Sequence, residues 1–340
     1  MERRTFIAIA GGAGLGILLP YALYRNISSG LGLRRIGVSD YLSSGPQAAL
    51  RAITPVGDFY VMSSNGEPRV DASQWSLLVD GLVENPLRFN FDEIRNLPPY
   101  ETHLTLECIS NPIGGGYIGH AAWRGTLLAP LLERARLRPN AVYAVLYAAD
   151  GFATGIPLER MRAADNFLAW EMNGAPLTRH HGFPLRIFLP GKYGMKMPKW
   201  LTRIEFVDKE YLGFWENQGW SNTAERQLRA VTDDPRGGAR ISGNTFVITG
   251  YAVANASGVA RVEISTDDGA TWREVEIFSN PLPAQVWAFW KHVWTNPPRG
   301  RHTIRVRATS ADGRVQTAEE SRGEWPAGAT GHHTVNVTVV

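Results

Sequence analysis

The sequence of 340 residues has a single cysteine, Cys108, and little excess positive charge outside its N-terminus. One cysteine cannot form an intrachain disulfide, so packing must stabilise the fold, and Cys108 is either an inert buried residue or a reactive or metal-binding one. The first 35 residues hold five arginines and one glutamate, an excess larger than the net charge of +3 of the whole chain. The remainder is nearly neutral, which argues against a nucleic-acid-binding protein.

Charge is also absent from residues 5–24, which follow the adjacent arginines Arg3 and Arg4. A run of this length can cross a bilayer as a helix, although its glycines make it only weakly hydrophobic. The Arg-Arg-x-Phe pattern resembles the twin-arginine export signal, and an uncleaved membrane anchor is the alternative. We therefore expect residues 1–35 to be a signal or anchor, and the body to be exported, either periplasmic or on the outer face of the cytoplasmic membrane.

The body is too long for one ordinary core, and its pattern changes near residue 230. Before that point strands and helices alternate. HLTLEC predicts a strand that ends at Cys108, AVYAVLYAADG a buried strand, and FDEIRNLP and LLAPLLERA helices. These patterns predict a mixed α/β domain over residues 36–230 and an α+β fold class for the chain.

The second half has short alternating strands with hairpin turns, after a turn-rich joint with the sequence AVTDDPRGGARISGN. Val262 and Ile264 precede an Asp-Asp-Gly turn, and Val275 and Ile277 follow it, so the four side chains fall on one face. This pattern predicts an antiparallel β-sandwich of immunoglobulin type over residues 236–340, made without a disulfide.

Cys108 lies where a predicted strand gives way to the glycines at 114–116, which either approach a ligand or only turn the chain. A cluster of histidines and cations follows further along the chain. An anion-binding pocket and a solvated surface are both compatible with such a cluster. Its members are His180, His181, Arg186, Lys192, Lys196 and Lys199.

Three stretches carry a resemblance to a known family: LECISN, AWRGTLLAPLLERA and EMNGAPLTRHHGFPLRIFLPGKYGMKMPKWL. In this order they resemble the sulfite oxidase family of molybdenum-cofactor oxidoreductases. The following sandwich resembles that family's dimerisation domain. The resemblance extends over residues 54–340 and implies a homodimeric enzyme that acts on a small-molecule substrate.

The resemblance also implies a cofactor, molybdenum held by one pyranopterin (molybdopterin), without a haem. Cys108 matches the family's thiolate ligand of the metal, and a soft thiolate suits such a metal. An external electron-transfer partner such as a cytochrome or a quinone-linked protein would accept or supply electrons. The positions that match cofactor contacts are His181, Arg186, Met197, Pro198 and Lys199, and, with looser alignment, Asp150, Tyr60, Val61, Ser63 and Ser64.

Two positions beside the expected metal site depart from the family members that oxidise sulfite. Met62 stands where they have an arginine, and Trp220 stands where they have a tyrosine. The arginine binds an oxyanion and the tyrosine can move a proton, so both functions are weakened here. Arg226 and Arg229 are near enough in sequence to compensate. We expect a pocket that is more apolar and binds sulfite poorly.

Several functions remain open at this point. Within the family, oxidation of a sulfur compound competes with reduction of an S-oxide or N-oxide. A thiol hydrolase would pair Cys108 with His103, His120 or His181. A non-enzymatic binding protein would use the sandwich as its interaction module.

The N-terminal pattern generates the first testable prediction. In the double variant Arg3→Lys with Arg4→Lys the charge is unchanged, but we expect the protein to stay in the cytoplasm, because the export signal requires the arginine pair. Cell fractionation measures the distribution, and a single Arg25→Lys variant is the control. Normal export of the double variant would instead indicate an ordinary anchor.

Overall fold

A computed structural model describes residues 36–44, 48–279, 283–321 and 326–340. The expected signal or anchor at residues 1–35 therefore lies outside the described residues. Among the residues described, no helix is long and apolar enough to cross a membrane. The helices are short, and they are α1 (Ala48–Arg51), α2 (Phe91–Arg95), α3 (Ala129–Ala135), α4 (Leu158–Met161) and α5 (Phe214–Asn217), with 3₁₀ turns at Val38–Tyr41, Arg179–His181 and Gly194–Lys196.

The described residues of the first half of the chain contribute ten strands to two sheets. They are β1 (Ser76–Gly81), β2 (Leu87–Asn90), β3 (Tyr100–Glu107), β4 (Ile118–Leu127), β5 (Tyr143–Ala148), β6 (Ala153–Pro157), β7 (Phe167–Met172), β8 (Ala175–Pro176), β9 (Arg186–Phe188) and β10 (Leu201–Val207). One sheet has the order β2-β1-β10-β5-β6, in which β1 and β10 run parallel. The other has the order β3-β4-β7-β8, and β9 also pairs with β7. A single apolar core lies between these sheets and the helices.

Local sequence explains the predicted elements α2, α3 and β3. Asn90 accepts a hydrogen bond from the Glu93 amide, and the Glu93 side chain accepts one from the Asn90 amide, so a capping box starts α2. In α3 the apolar residues Leu131, Leu132 and Ala135 are buried. The predicted strand HLTLEC is confirmed as β3, which ends one residue before Cys108.

The second half forms the expected sandwich of two sheets. Its strands are β11 (Arg229–Asp234), β12 (Arg240–Ile241), β13 (Thr245–Val253), β14 (Val259–Ser265), β15 (Arg273–Glu274), β16 (Glu276–Ile277), β17 (Ala288–Thr295), β18 (Gly300–Ser310) and β19 (His333–Val339). The sheets have the orders β11-β13-β17-β16 and β12-β19-β18-β14-β15. Apolar residues of both sheets fill the space between them.

Two details of the sandwich differ from the sequence-based expectations. The expected joint is wrong in its first half, because Arg229–Asp234 form strand β11 and pair with β13. The expected hairpin after Val262 is also split. The amide of Val275 still donates to the Val262 carbonyl, but Ile277 pairs with Trp290 of the opposite sheet. The chain therefore crosses between sheets while Val275 and Ile277 both pack on the core.

Four aromatic residues in and next to β17 lie inside the protein: Trp287, Phe289, Trp290 and Trp294. Trp290 and Trp294 belong to the sandwich core. Trp287 and Phe289 pack with the segment before residue 53, and their exposed fractions are 1% and 0%. These four side chains therefore stabilise the fold and offer no exposed surface to a second subunit.

Asp233 holds the start of the described chain against the sandwich. Its carboxylate accepts hydrogen bonds from the amides of Ile36, Gly37 and Val38 at 2.7, 2.9 and 3.0 Å. Gly37 has a φ of 75° at this point, which favours glycine. The segment also buries Val38 in the cluster that contains Trp287. Residues 36–38 are thus part of the folded structure.

We expect Asp233→Ala to lower the free energy of unfolding by about 2–3 kcal/mol, because three buried amides lose a charged acceptor. Asp234→Ala is the matched control, since this neighbouring carboxylate is partly exposed, and its effect should stay within about 0.5 kcal/mol. Urea denaturation of both variants measures the difference. Equal midpoints for the two variants would contradict a structural role of Asp233.

Candidate active site

Cys108 is the first residue after β3, and its loop is held by backbone hydrogen bonds. The Cys108 amide donates to the Tyr117 carbonyl at 3.0 Å, and the Asn111 amide donates to the Cys108 carbonyl at 3.0 Å. The thiol lies 3.1 Å from the Ser110 hydroxyl. Burial raises the pKa of the thiol, and Ser110 opposes this shift. Without a cation the thiol keeps its proton, and a bound metal ion would displace it.

The turn after Cys108 requires glycine at two positions. Gly114 has a φ of 74°, and a Cβ on Gly115 would lie 2.5 Å from the Asn111 side-chain oxygen and 2.7 Å from Pro112. Asn111 uses this oxygen to accept a hydrogen bond from the Tyr117 amide at 2.9 Å. Gly114 and Gly115 therefore permit the turn that returns the chain to β4.

A buried ion pair lies beneath the cysteine loop, and sequence reasoning missed it. Glu107 Oε1 is 2.8 Å from Arg229 Nη1, and both side chains are at most 1% exposed. The same carboxylate oxygen accepts a hydrogen bond from Asn111 at 2.8 Å, and Arg229 donates to the Tyr193 hydroxyl at 2.7 Å. Arg229 begins β11, so the second half of the chain contacts the residue bonded to Cys108. The sequence signal was an acidic residue directly before a buried cysteine.

Three members of the predicted basic cluster line one wall: His181, Arg186 and Lys199. His181 Nε2 lies 3.1 Å from the Val56 carbonyl, Arg186 Nη1 donates to the His181 carbonyl at 3.2 Å, and Lys199 Nζ donates to the His180 carbonyl at 2.7 Å. Gly182 permits this close arrangement, because a Cβ there would lie 2.9 Å from Lys199 Cβ.

Burial disfavours the charged forms of these three side chains. It lowers the pKa of His181 to about 4 and that of Arg186 to about 10. Burial, with the neighbouring Arg186 cation, lowers the pKa of Lys199 to about 7. Each of these shifts reflects a charged form that lacks solvent and a close counter-ion. An anion bound at this wall would supply that counter-ion.

The other members of the basic cluster are neutralised by carboxylates, so the expectation of one large basic pocket is wrong for them. Lys196 is buried and paired with Glu216, and Lys192 is paired with Glu225. His180 Nδ1 lies 2.6 Å from Glu67.

The remaining predicted contact positions border the same region. Burial and the charge of Cys108 raise the pKa of Tyr60, and the charge of Arg186 lowers it. Ser64 accepts a hydrogen bond from the Trp215 indole at 3.0 Å. The charge of Asp150 acts on Lys199, and Asp150 Oδ1 accepts a hydrogen bond from the Phe152 amide. Between these, Val61 is 43% exposed and Ser63 is partly buried.

Met197 and Pro198 lie behind the basic wall, directly before Lys199. Met197 is buried, and its amide donates to the Gly194 carbonyl. The Pro198 carbonyl accepts a hydrogen bond from the Ile187 amide. This bond ties the segment to β9, which carries Arg186, and so fixes the two cations relative to each other.

The two positions that depart from the family, Met62 and Trp220, carry uncharged side chains. Trp220 packs against the cluster of Ile109, Tyr193 and Ala224, next to the cysteine. Met62 is 38% exposed. Neither supplies a charge.

The two arginines considered as replacements are engaged elsewhere. Arg229 is paired with Glu107. Arg226 donates to the carbonyls of Ala254 and Thr105 at 2.5 and 2.7 Å, and only 3% of it is exposed. Both arginines therefore hold protein groups, although Arg226 Nη2 has no hydrogen-bond partner among the described residues.

A cysteine–histidine dyad is not formed in the described part of the chain. The thiol's hydrogen bond goes to Ser110, while His103 Nδ1 lies 3.3 Å from His120 Nε2. Across the described ranges no group of three His, Cys, Asp or Glu side chains could hold a metal ion by itself. Cys108 would therefore have to share a metal with ligands from a cofactor.

Comparison with known proteins identifies two matching family models. The oxidoreductase molybdopterin-binding domain matches residues 64–215. The Mo-co oxidoreductase dimerisation domain matches residues 223–329. The second match begins before β11, in agreement with the strand assignment there.

The relatives of this chain include a sulfite oxidase of Arabidopsis thaliana. It is 30% identical, and the match covers 69% of this chain and 73% of that protein. The uncharacterised oxidoreductase YuiH of Bacillus subtilis is 35% identical over 44% of this chain and 74% of its own length. Rat mitochondrial sulfite oxidase is 28% identical, and the match spans 52% of that protein. The fold is similar to that of the sulfane dehydrogenase SoxCD from Paracoccus pantotrophus, with a TM-score of 0.70, 24% identity and coverage of 78% and 75% of the two chains.

The residues at the wall fit a molybdopterin. Arg186 Nε is buried without a hydrogen-bond partner in the described chain, and neither Arg186 nor Lys199 forms an ion pair there. A cofactor phosphate would satisfy both cations. Cys108 raises the pKa of Tyr60 and Arg186 lowers it, so the thiol and this wall both act on the same side chain.

We expect the cofactor-free protein to become more stable as pH rises from about 7 towards 10.5. Lys199 has a pKa of about 7 in the fold against an ordinary value of 10.5, so the unfolded chain binds its proton more tightly in that window. Lys199→Met should flatten the rise, whereas Lys209→Met, at an exposed lysine, should not. Urea midpoints at several pH values measure the slope, and identical slopes for wild type and Lys199→Met would contradict the assignment.

Proposed function

Because the chain belongs to the sulfite oxidase family of molybdenum-cofactor oxidoreductases, we propose that it is an exported enzyme that moves an oxygen atom and two electrons on a small sulfur or nitrogen compound. The observation that carries the proposal is one thiol beside two cations without carboxylate partners. Cys108 is a metal ligand of the required softness, and Arg186 and Lys199 lack counter-ions in the described structure.

Each residue has a defined task in this proposal. The bound molybdenum cofactor supplies the oxygen-atom-transfer chemistry. Cys108 holds the metal through its deprotonated sulfur, and its loop fixes the direction of that sulfur. Arg186 and Lys199 bind the anionic groups of the cofactor. His181 directs Nε2 to the Val56 carbonyl, which leaves Nδ1 for a hydrogen bond to the pterin.

The substrate we propose is neutral or bulkier than sulfite. Met62 and Trp220 supply a thioether and an indole in place of a cation and a phenol. The nearby Arg226 and Arg229 are engaged in other contacts. An S-oxide or N-oxide needs no fixed positive charge, whereas loss of one charged contact weakens binding of an anion by about tenfold to a hundredfold.

The partners and the location of the enzyme are part of the same proposal. The match to a dimerisation domain supports a homodimer, formed by surfaces other than the buried tryptophans. Electrons would pass to or from an external carrier such as a cytochrome or a quinone-linked protein. The twin-arginine pattern at Arg3 and Arg4 supports an exported site of action.

Metal content and a substrate panel test the function together. Purified wild type should contain about one molybdenum per chain. Cys108→Ser should lose activity by more than about a hundredfold while the fold persists, because serine has nearly the same shape but is a poor ligand for a soft metal. Ser110→Ala is the matched control and should keep most of the activity. Full turnover by Cys108→Ser would contradict the ligand role.

The wild type should turn over sulfoxides or N-oxides more efficiently than sulfite. The measurement is kcat/KM for each substrate with a dye as electron donor or acceptor. Efficient sulfite oxidation at micromolar concentration would contradict the proposed substrate class while leaving the cofactor assignment intact. A wild type without molybdenum would contradict the cofactor assignment itself.

A further inference from the structure

We infer that the hydroxyl of Tyr60 donates a hydrogen bond to the oxygen atom of the substrate, and so orients that oxygen beside Cys108. This inference rests on the proposed oxygen-transfer function. It adds a catalytic role for a residue that was expected only as a cofactor contact. The argument depends on where the hydroxyl lies and on what it contacts.

The Tyr60 hydroxyl lies at the end of β3, next to the cysteine. A Cβ on Gly194 would be 3.4 Å from the Tyr60 hydroxyl oxygen and 3.5 Å from the Glu107 carbonyl oxygen, so both atoms flank the same point. Glu107 is bonded to Cys108. The Tyr60 ring also packs on Tyr117 with ring centres 6.3 Å apart, and the Tyr117 carbonyl binds the Cys108 amide.

The hydroxyl is uncommitted. Within the described ranges no hydrogen bond of Tyr60 is formed through its side chain, although the ring is fixed by stacking on Phe59 at 5.4 Å. Nearby donors are engaged differently: Arg229 is paired with Glu107, and Arg226 binds two carbonyls. A donor without a protein partner is available to a ligand that supplies an acceptor.

A phenol is an uncharged donor. Such a donor suits a neutral oxide, whose oxygen accepts a hydrogen bond without bringing a counter-charge.

The position also accounts for Trp220. A phenol expected at that position is absent, and an indole packs there against Ile109 instead. Tyr60 lies on the segment that leads to Met62, far from Trp220 in the sequence. A hydroxyl therefore remains in the pocket although it comes from a different part of the chain.

The test is Tyr60→Phe in the molybdenum-loaded protein. It should lower kcat/KM about tenfold for whichever of dimethyl sulfoxide, trimethylamine N-oxide or sulfite the wild type turns over best. Molybdenum content should be unchanged. Tyr147→Phe is the matched control, because the Tyr147 hydroxyl donates a 2.7 Å hydrogen bond to Glu205 and not to a residue of the cysteine loop. The kcat/KM of this variant should equal that of wild type.

A second readout separates hydrogen bonding from packing. If Tyr60 binds the oxygen, Tyr60→Phe should weaken inhibition by a non-reacting sulfone about tenfold and leave inhibition by the matching thioether unchanged. Equal weakening of both inhibitors, or an unchanged kcat/KM, would overturn the inference while an active wild type upholds the proposed function. A molybdenum-loaded wild type inactive on all three substrates would overturn both.

Discussion

The buried ion pair between Glu107 and Arg229 is the contact on which the arrangement of the site depends. It joins the residue before Cys108 to the first strand of the sandwich, with both side chains almost fully buried. Removing one partner of such a pair leaves an uncompensated buried charge and costs about 3–5 kcal/mol. Asn111 and Tyr193 bind the same two side chains. The cysteine loop therefore cannot change its position without disturbing the second half of the chain.

This arrangement gives the β-sandwich a part in the site as well as a place in a dimer. Arg226 reaches the Thr105 carbonyl on β3, and the Thr105 amide donates to Gln285 near β17. The Trp287 amide donates to the Thr105 hydroxyl at 3.0 Å. The strand that ends at Cys108 is thus fixed from both halves of the chain. A metal ligand held in this way is positioned before the metal binds.

The opposite wall depends on an absence of compensation. Burial disfavours the charged forms of His181, Arg186 and Lys199, and in the described residues no carboxylate pairs with either cation of the three. Lys196, only a few residues away, is paired with Glu216 and also donates to Thr154 and Asn222. The contrast separates a structural lysine from a ligand-binding one. Spacing in the sequence does not make this distinction, because Lys196 and Lys199 look alike there.

The sequence by itself determined the features that depend on neighbouring residues. The capping box of α2, the strand that ends at Cys108 and the family motifs from Cys108 to Lys199 are all local, since their hydrogen bonds and side-chain faces repeat within a few residues. Tertiary structure alone decided the extent of β11, the crossing of Ile277 to the opposite sheet and the pairing of Glu107 with Arg229. It also decided that the Tyr60 hydroxyl has no hydrogen-bond partner among the described residues. In each of these cases the partner, or the lack of one, comes from a distant part of the chain, and burial and charge compensation are set only when those parts meet.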